Sequence, residues 1–402
     1  MTSSVLPHGV AGLFDSGLME RLVELRRAIH ADPELSFHEK RTAEKLERAL
    51  AALRPVSVDR IAGTGVVARI PGRDRDAPTV AVRGDIDALP IVEDTGLPYA
   101  SHNEGVMHAC GHDVHATWAV GAAALLASRP ADGDVLVVLQ PAEETGQGAP
   151  AILASGALEG VRAIFGGHVD RRFAVGQVVA DEGPLAASAD TFRIELVGQG
   201  AHAARPHESA DPIVGLGALI GALQTIVSRR LNPANPGVVT IGAVHAGTAS
   251  NVIPERASLA GTVRAVDAAS RTLMLDEVKR IAETTAAAYR LTAHVTLDLG
   301  TPPIVNPPGP TGWARDAAAT LLGPDNVVPL GFLNLAGEDF AHYMERIPGC
   351  FLRIGAREPG GATIPAHAPK FYAAEESIFV GAAVLAESAR VASRALVRGG
   401  GG

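Results

Sequence analysis

Apolar positions along this chain follow two rhythms in turn. Glu20 to His30 and Glu39 to Leu53 carry apolar residues three and four apart, the spacing of helices with one buried face, and Pro33 in ADPELSF separates them. Short apolar runs follow. TGVVARI, PTVAVRGD, DVLVVLQ and RAIFGGH read as buried strands, with the alanine-rich TWAVGAAALLA as a helix between the second and third. Strands alternating with helices predict a mostly parallel sheet flanked by helices. Near residue 185 the texture changes. TFRIELVG alternates like a half-exposed strand, and a helix (Asp211 to Arg230), two strands (GVVTIGAVH, RASLAGTVRAV), a helix (Ala268 to Tyr289) and a strand (AHVTLDL) come after it. That β-α-β-β-α-β order predicts a four-stranded antiparallel sheet with two helices on one face. The proline-rich TPPIVNPPGP, residues 301 to 310, reads as a return linker, and a long alanine-rich helix runs from about Glu375 to Ala395. The expected fold class is α/β: one discontinuous domain, residues 1–187 and 300–402, interrupted by an inserted α+β domain at 188–299.

Composition narrows the classes of function. A length of 402 residues suits two domains, and 47% hydrophobic residues supply ample core. A net charge of −9 with scattered Lys and Arg argues against a nucleic-acid partner. The most apolar helix, around Ala119 to Ala127, falls short of the about 20 residues that span a bilayer, so no membrane partner is expected. MTSSVLPHGVAGLFDS has no signal-peptide pattern, which makes a cytoplasmic protein the expectation, and the GGGG ending reads as a disordered tail. Only Cys110 and Cys350 occur; two distant cysteines make no disulfide framework and suit a reducing compartment. Cys350, in IPGCFLRIG, reads as a core strand residue.

The candidate chemistry centres on MHACGHDVH, residues 107 to 115. Three histidines, a cysteine and an aspartate within nine positions favour zinc and similar divalent metals over magnesium or calcium. A lone histidine or cysteine is more often a packed core residue. The strand ends tip the balance, because sites in open α/β sheets form at the carboxyl ends of strands. PTVAVR leads to Asp85 and Asp87, DVLVVLQ to Glu143 and Glu144, and RAIFGG to His168. The adjacent glutamates fit a hydrolytic metal site, where one carboxylate ligates and a second, unligated one shuttles protons.

These segments, with RRAIHADPELSFHEKRTA, QPAEETGQGA, GQGAHAARPHESADPI, AGTASNVIPERASLAGTVR, AGEDFAHY and HAPKF, resemble the metal-dependent N-acyl-amino-acid amidohydrolases, the hippurate hydrolase and auxin-conjugate hydrolase branch of the aminoacylase-like metallopeptidases. The likeness runs in order from about residue 20 to about residue 390. It implies two divalent ions (zinc, manganese, cobalt or nickel) held by Cys110, His112, Glu144, His168 and His367, with Glu143 as general base. It implies a small-molecule N-acyl-amino acid as substrate and a homodimer through the inserted domain, as lid. His202 would reach the partner subunit's site to stabilise the oxyanion, and Asn251 and Arg264 would hold the substrate carboxylate. Gly337, Glu338 and Asp339 match a structural motif beside the site. Sibling branches carry a histidine ligand where Asp85 stands and a bridging aspartate near Cys110. Asp85 and Asp87 are left to orient ligand imidazoles, and His115 either does the same or meets the substrate.

Rival readings stay open at this level. GQGAHA, residues 198 to 203, fits a loose dinucleotide fingerprint, but Pro206 intervenes and GALIGALQ, about 20 residues on, has no acid. No G-x-S-x-G elbow occurs. Cys110 as a thiol nucleophile, a dinuclear-metal dipeptidase, and a non-catalytic metal-binding relic are the alternatives.

Overall fold

The structure is a computed structural model describing residues 6–399. Two compact units form. The larger takes the chain up to Gly183, then Asn306–Phe332, then the chain from His342; the smaller takes Pro184–Val305 with Leu333–Ala341. The smaller unit is wider than the 188–299 span read from sequence, because the crossing residues and the Leu333–Ala341 segment pack with it.

The larger unit is built on a seven-stranded sheet. Its four central strands, Val135–Gln140, Val80–Asp85, Ala163–Ala174 and Gly349–Arg357 in spatial order, pair in parallel. Gly65–Ile70 and Ser57–Ile61 extend one edge antiparallel, and Val178–Val179 the other. Val80–Asp85 and Val135–Gln140 are buried along their full length, which is why they read as unbroken apolar runs. The His112–Ser128 helix is buried on every side from His112 to Leu126, so it too lacks a polar face. Cys350 is buried in its strand as expected.

In the smaller unit four strands lie in the order Gly237–Ala246, Arg256–Ala265, Asp190–Val197, Thr292–Asp298, all antiparallel. Phe192, Ile194 and Leu196 face the helices Pro212–Leu223 and Ala268–Ala288, while Thr191, Arg193 and Glu195 alternate to the other face. Asp211 and Asp267 cap those helices, accepting from Ile213 N–H and Ser270 N–H.

Several sequence expectations are corrected. TPPIVNPPGP is not a bare linker: Ile304–Asn306 is a short strand, and the Pro308–Leu322 helix starts inside the run, since proline is tolerated in a first helical turn. The helix expected over 211–230 relaxes after Leu223 into a wider turn, Ile226–Arg230. The helix behind the histidine cluster starts earlier than TWAVGAAALLA, at His112. Ser57–Ile61 is an unforeseen edge strand whose charged residues mask its periodicity. Gly399 closes the last helix; the rest of the GGGG ending and residues 1–5 of the amino-terminal stretch lie outside the described residues. Among the described residues no helix is long and apolar enough to cross a membrane.

Candidate metal centre

Glycine at two positions lets the strand ends and the helix start meet. Gly111 has φ +91°, and a Cβ there would lie 2.4 Å from Val169 Cγ2. Gly84 lets the helix approach the Val80–Asp85 strand, since a Cβ would lie 2.3 Å from the His115 carbonyl oxygen. The turn at Gly111 aims Cys110 and His112 at the middle of the Ala163–Ala174 strand, where Cys110 Sγ lies 3.1 Å from His168 Nε2.

Two groups of donor atoms share that sulfur. Cys110, His112 and His168 offer one set, and Cys110, Glu144 and His367 the other, each with its ligand atoms within 4.8 Å of one another. Glu143 and Glu144 also group with His112, whose Nε2 lies 3.8 Å from Glu143 Oε2 and 3.8 Å from Glu144 Oε1. The five ligands anticipated from sequence, with Glu143 beside them, therefore meet in one place.

The donor set fits divalent cations, because lone pairs are aimed inward and left bare. His112 Nδ1–H donates to Asp87, 2.9 Å to its carbonyl oxygen and 3.1 Å to Oδ1. His168 Nδ1–H donates to the Val169 carbonyl at 2.7 Å. Both hydrogen bonds fix the tautomer whose Nε2 carries a lone pair. His112 Nε2 and Glu144 Oε1 are buried with no hydrogen-bond partner, a cost of about 1–3 kcal/mol per group that a cation would relieve.

The donors differ in how readily they give up a proton. Burial opposes charge on His112, but Asp85 and the Asp87 hydrogen bond outweigh it and lift its pKa well above the usual value. Burial and then Glu144 push the Cys110 thiol well up. Burial, with His115 and Arg353 nearby, holds His168 far down and neutral. Cation uptake therefore displaces protons and strengthens as pH rises.

The supporting aspartates have distinct tasks. Asp87 accepts the backbone N–H groups of Glu143 and Glu144 at 3.1 Å each and the Ser36 hydroxyl at 2.7 Å, so one carboxylate pins both glutamates and His112. Asp85 accepts from Arg83 and, at 2.6 Å, from His115 Nδ1–H. His115 Nε2 in turn accepts from Val169 N–H at 2.9 Å. Both His115 nitrogens are thus used and the ring is fully buried.

Other contributors left no signal in the sequence. Ala142 and His367 hold φ of +53° and +66°, strained for residues with a Cβ, and they present Glu143–Glu144 and the last ligand. Glu39 reads as an ordinary helix-start acid, yet it is buried and accepts from Ala142 N–H at 2.9 Å. His367 N–H donates to the Ala109 carbonyl at 2.8 Å, tying the late ligand to the central motif. Arg171, buried on the strand that carries His168, donates to the Ala362 and Tyr372 carbonyls and to Glu358, fixing the loop around His367.

That loop has a testable pH dependence. Burial alone would raise the Glu358 pKa, and hydrogen bonds from Arg171 and Tyr372 bring it down to about 2. The folded value lies below the unfolded one of about 4.3. Its contribution to stability is therefore complete above that unfolded value and is lost as pH falls towards the folded one. Thermal midpoints from pH 5 to 3 are expected to drop more steeply for the native protein than for Glu358→Gln; parallel curves would exclude this contribution.

The remaining candidates lie in the smaller unit. His202 is exposed on a two-residue strand, Ala201–His202, paired with Val252–Ile253, so it neighbours Asn251, whose carbonyl accepts from Ala203 N–H at 3.1 Å. Arg264 stands at the far end of the Arg256–Ala265 strand. Glu338 and Asp339 are buried. GQGAHA contains that short strand and only a three-residue 3-10 turn, Pro206–Glu208, follows, in place of an α-helix opening at once, so the dinucleotide reading fails.

A mostly parallel α/β sheet beside which one thiol is shared by a pair of imidazoles and by an imidazole with a carboxylate, with one further glutamate, is the architecture of a metal-dependent hydrolase. Comparison with known proteins gives the family. The profile described as peptidase family M20/M25/M40 matches residues 81–390, and the chain belongs to that family. An N-acetyl-L-cysteine deacetylase of Bacillus subtilis (strain 168) is 41% identical over 382 residues, 93% of this chain and 89% of the relative. A second, the N-acetylcysteine deacetylase of the same organism, is 41% identical over 379 residues, 93% and 97% of the two chains. The crystal structure of the Bacillus subtilis YXEP protein, described as a dinuclear metal-binding peptidase of the M20 family, matches with a TM-score of 0.83 at 38% identity, covering 94% of this chain and 99% of that one.

Proposed function

We propose that this protein is an amidohydrolase using two divalent cations to cleave N-acyl-amino acids into a carboxylic acid and a free amino acid. The observation that carries this reading is the Cys110 sulfur shared by two ligand sets, with Glu143 beside the ligand Glu144. The two relatives named as N-acetylcysteine deacetylases favour N-acetyl-amino acids as the first substrates to try.

Cys110, His112 and His168 would hold one cation, and Cys110, Glu144 and His367 the other. Bound there, divalent cations lower the pKa of a coordinated water towards about 7 and polarise the amide carbonyl. Glu143 takes a proton from the attacking water, whose oxygen bonds to the amide carbon. The protonated Glu143 then hands that proton to the nitrogen as the carbon–nitrogen bond breaks, releasing acid and amine. Asp87 keeps both glutamates and His112 in register throughout.

His202 as oxyanion donor, and Asn251 and Arg264 as grips on the substrate carboxylate, complete the proposal. The eight residue steps from Arg256 to Arg264 span roughly 26 Å, which supports His202 and Asn251 serving a different site from Arg264. A homodimer through the smaller unit would allow this, His202 reaching the partner's site. A thiol ligand suits a reducing compartment, and we place the protein in the cytoplasm.

The test is a panel of N-acyl-amino acids, hippurate and N-acetylcysteine among them, assayed after chelation and after return of zinc, manganese, cobalt or nickel. Chelation is expected to abolish hydrolysis and one or more of the metals to restore it. Hydrolysis that survives chelation would assign the reaction to the Cys110 thiol instead, and a metal-loaded protein cleaving none of the panel would favour the binding relic.

A further inference from the structure

The His112–Ser128 helix has a second charged site at its other end, about 25 Å from the ligand His112 by helical rise. There Arg129, directly after the helix, lines a cavity of about 140 Å³ with Arg73, Arg390 and Arg394. Only Asp132 and Glu387 line it with opposite charge, so four positive groups less two negative leave +2, in a chain whose net charge is −9. The counter-charges are already shared. Glu387 Oε2 serves both Arg129 and, at 2.9 Å, Arg390, while Asp132 lies 3.3 Å from Arg73. Among the described residues the Arg394 guanidinium has no ion pair or hydrogen bond.

The wall is fixed in place. Arg390, 6% exposed, donates through Nε to the Arg129 carbonyl at 2.8 Å and through Nη2 to the Leu125 carbonyl at 2.6 Å. Burial, then Arg129 and Arg73, lowers the Arg390 pKa, as expected where guanidinium groups face one another with too few anions. A surface ion-pair network has no need of this excess.

We propose that this cavity binds a doubly charged tetrahedral oxyanion: inorganic phosphate, sulfate, or the phosphoryl end of a small monoester. Guanidinium groups match such oxygens with paired donors, and the space far exceeds the roughly 10–15 Å³ that one water needs. The loop from Arg129 to Asp134 joins the helix that starts with His112 to the strand that leads to Glu143 and Glu144. An anion held there steadies the connection behind both.

Calorimetric titration of the metal-loaded protein at constant ionic strength tests this, comparing native protein with the double variant Arg73→Gln/Arg394→Gln. Both residues are exposed, and circular dichroism verifies that the variant folds. Native protein is expected to take up one more phosphate per chain than the variant; any phosphate held at the metals stays common to both. Phosphate at tenfold over its Kd is expected to raise the native Tm by about 2–3 °C, with sulfate acting likewise and chloride not. Glycerol 3-phosphate binding more tightly than phosphate identifies a monoester ligand, and the reverse identifies the free ion. Equal phosphate uptake by the two proteins, or an equal response to chloride, overturns the proposal.

Discussion

Replacing Glu143 by Gln is expected to leave the metal content unchanged and to lower kcat by about 10²–10⁴-fold, the usual contribution of a general acid–base. The amide keeps the shape of the side chain but cannot accept a proton. Glu143 belongs to neither of the two ligand sets that share Cys110, so the cations stay. Its backbone remains pinned, because the Glu143 N–H bond to Asp87 does not involve the side chain. Metal analysis together with steady-state kinetics on N-acetyl-amino acids checks both halves. Turnover within about tenfold of the native enzyme would place the proton transfer on another group. Loss of metal would instead make Glu143 a ligand.

Much of this was legible along the chain, for identifiable reasons. Continuous apolar runs revealed the central strands because both faces are covered, and the polar residues after those runs drew attention to Asp85, Glu143 and His168; Asp85 ends its strand and Glu143 follows its own, but the strand expected to stop before His168 runs on to Ala174. The alternation in TFRIELVG revealed the half-exposed sheet of the smaller unit. What stayed hidden depends on distance through space. Nothing near Asp87 says that it accepts from Glu143 and Glu144, 56 and 57 residues on. Nothing in HAPKF announces the positive φ of His367, or that Arg171 braces its loop from a neighbouring strand. The sequence leaves His115 undecided between orienting a ligand and meeting the substrate because its two partners, Asp85 and Val169, come from separate strands. The edge strand Ser57–Ile61 escaped notice because an edge makes little demand on periodicity.

Cys110→Ala is expected to empty the whole centre, because both ligand sets use its sulfur. Each set would keep two donors, His112 with His168 and Glu144 with His367, fewer than the three protein ligands usual for a catalytic metal. The fold should survive. Cys110 is a single buried thiol at a helix start, and the core of the larger unit does not rest on it. Hydrolysis is expected to vanish, but that alone would not separate a ligand from a nucleophile. The direct measurement is the number of divalent ions bound per chain, by elemental mass spectrometry on dialysed native protein and on Cys110→Ala, with circular dichroism to verify folding. Two ions in the native protein and none in the folded variant is the result predicted; two ions retained by the folded variant would contradict it.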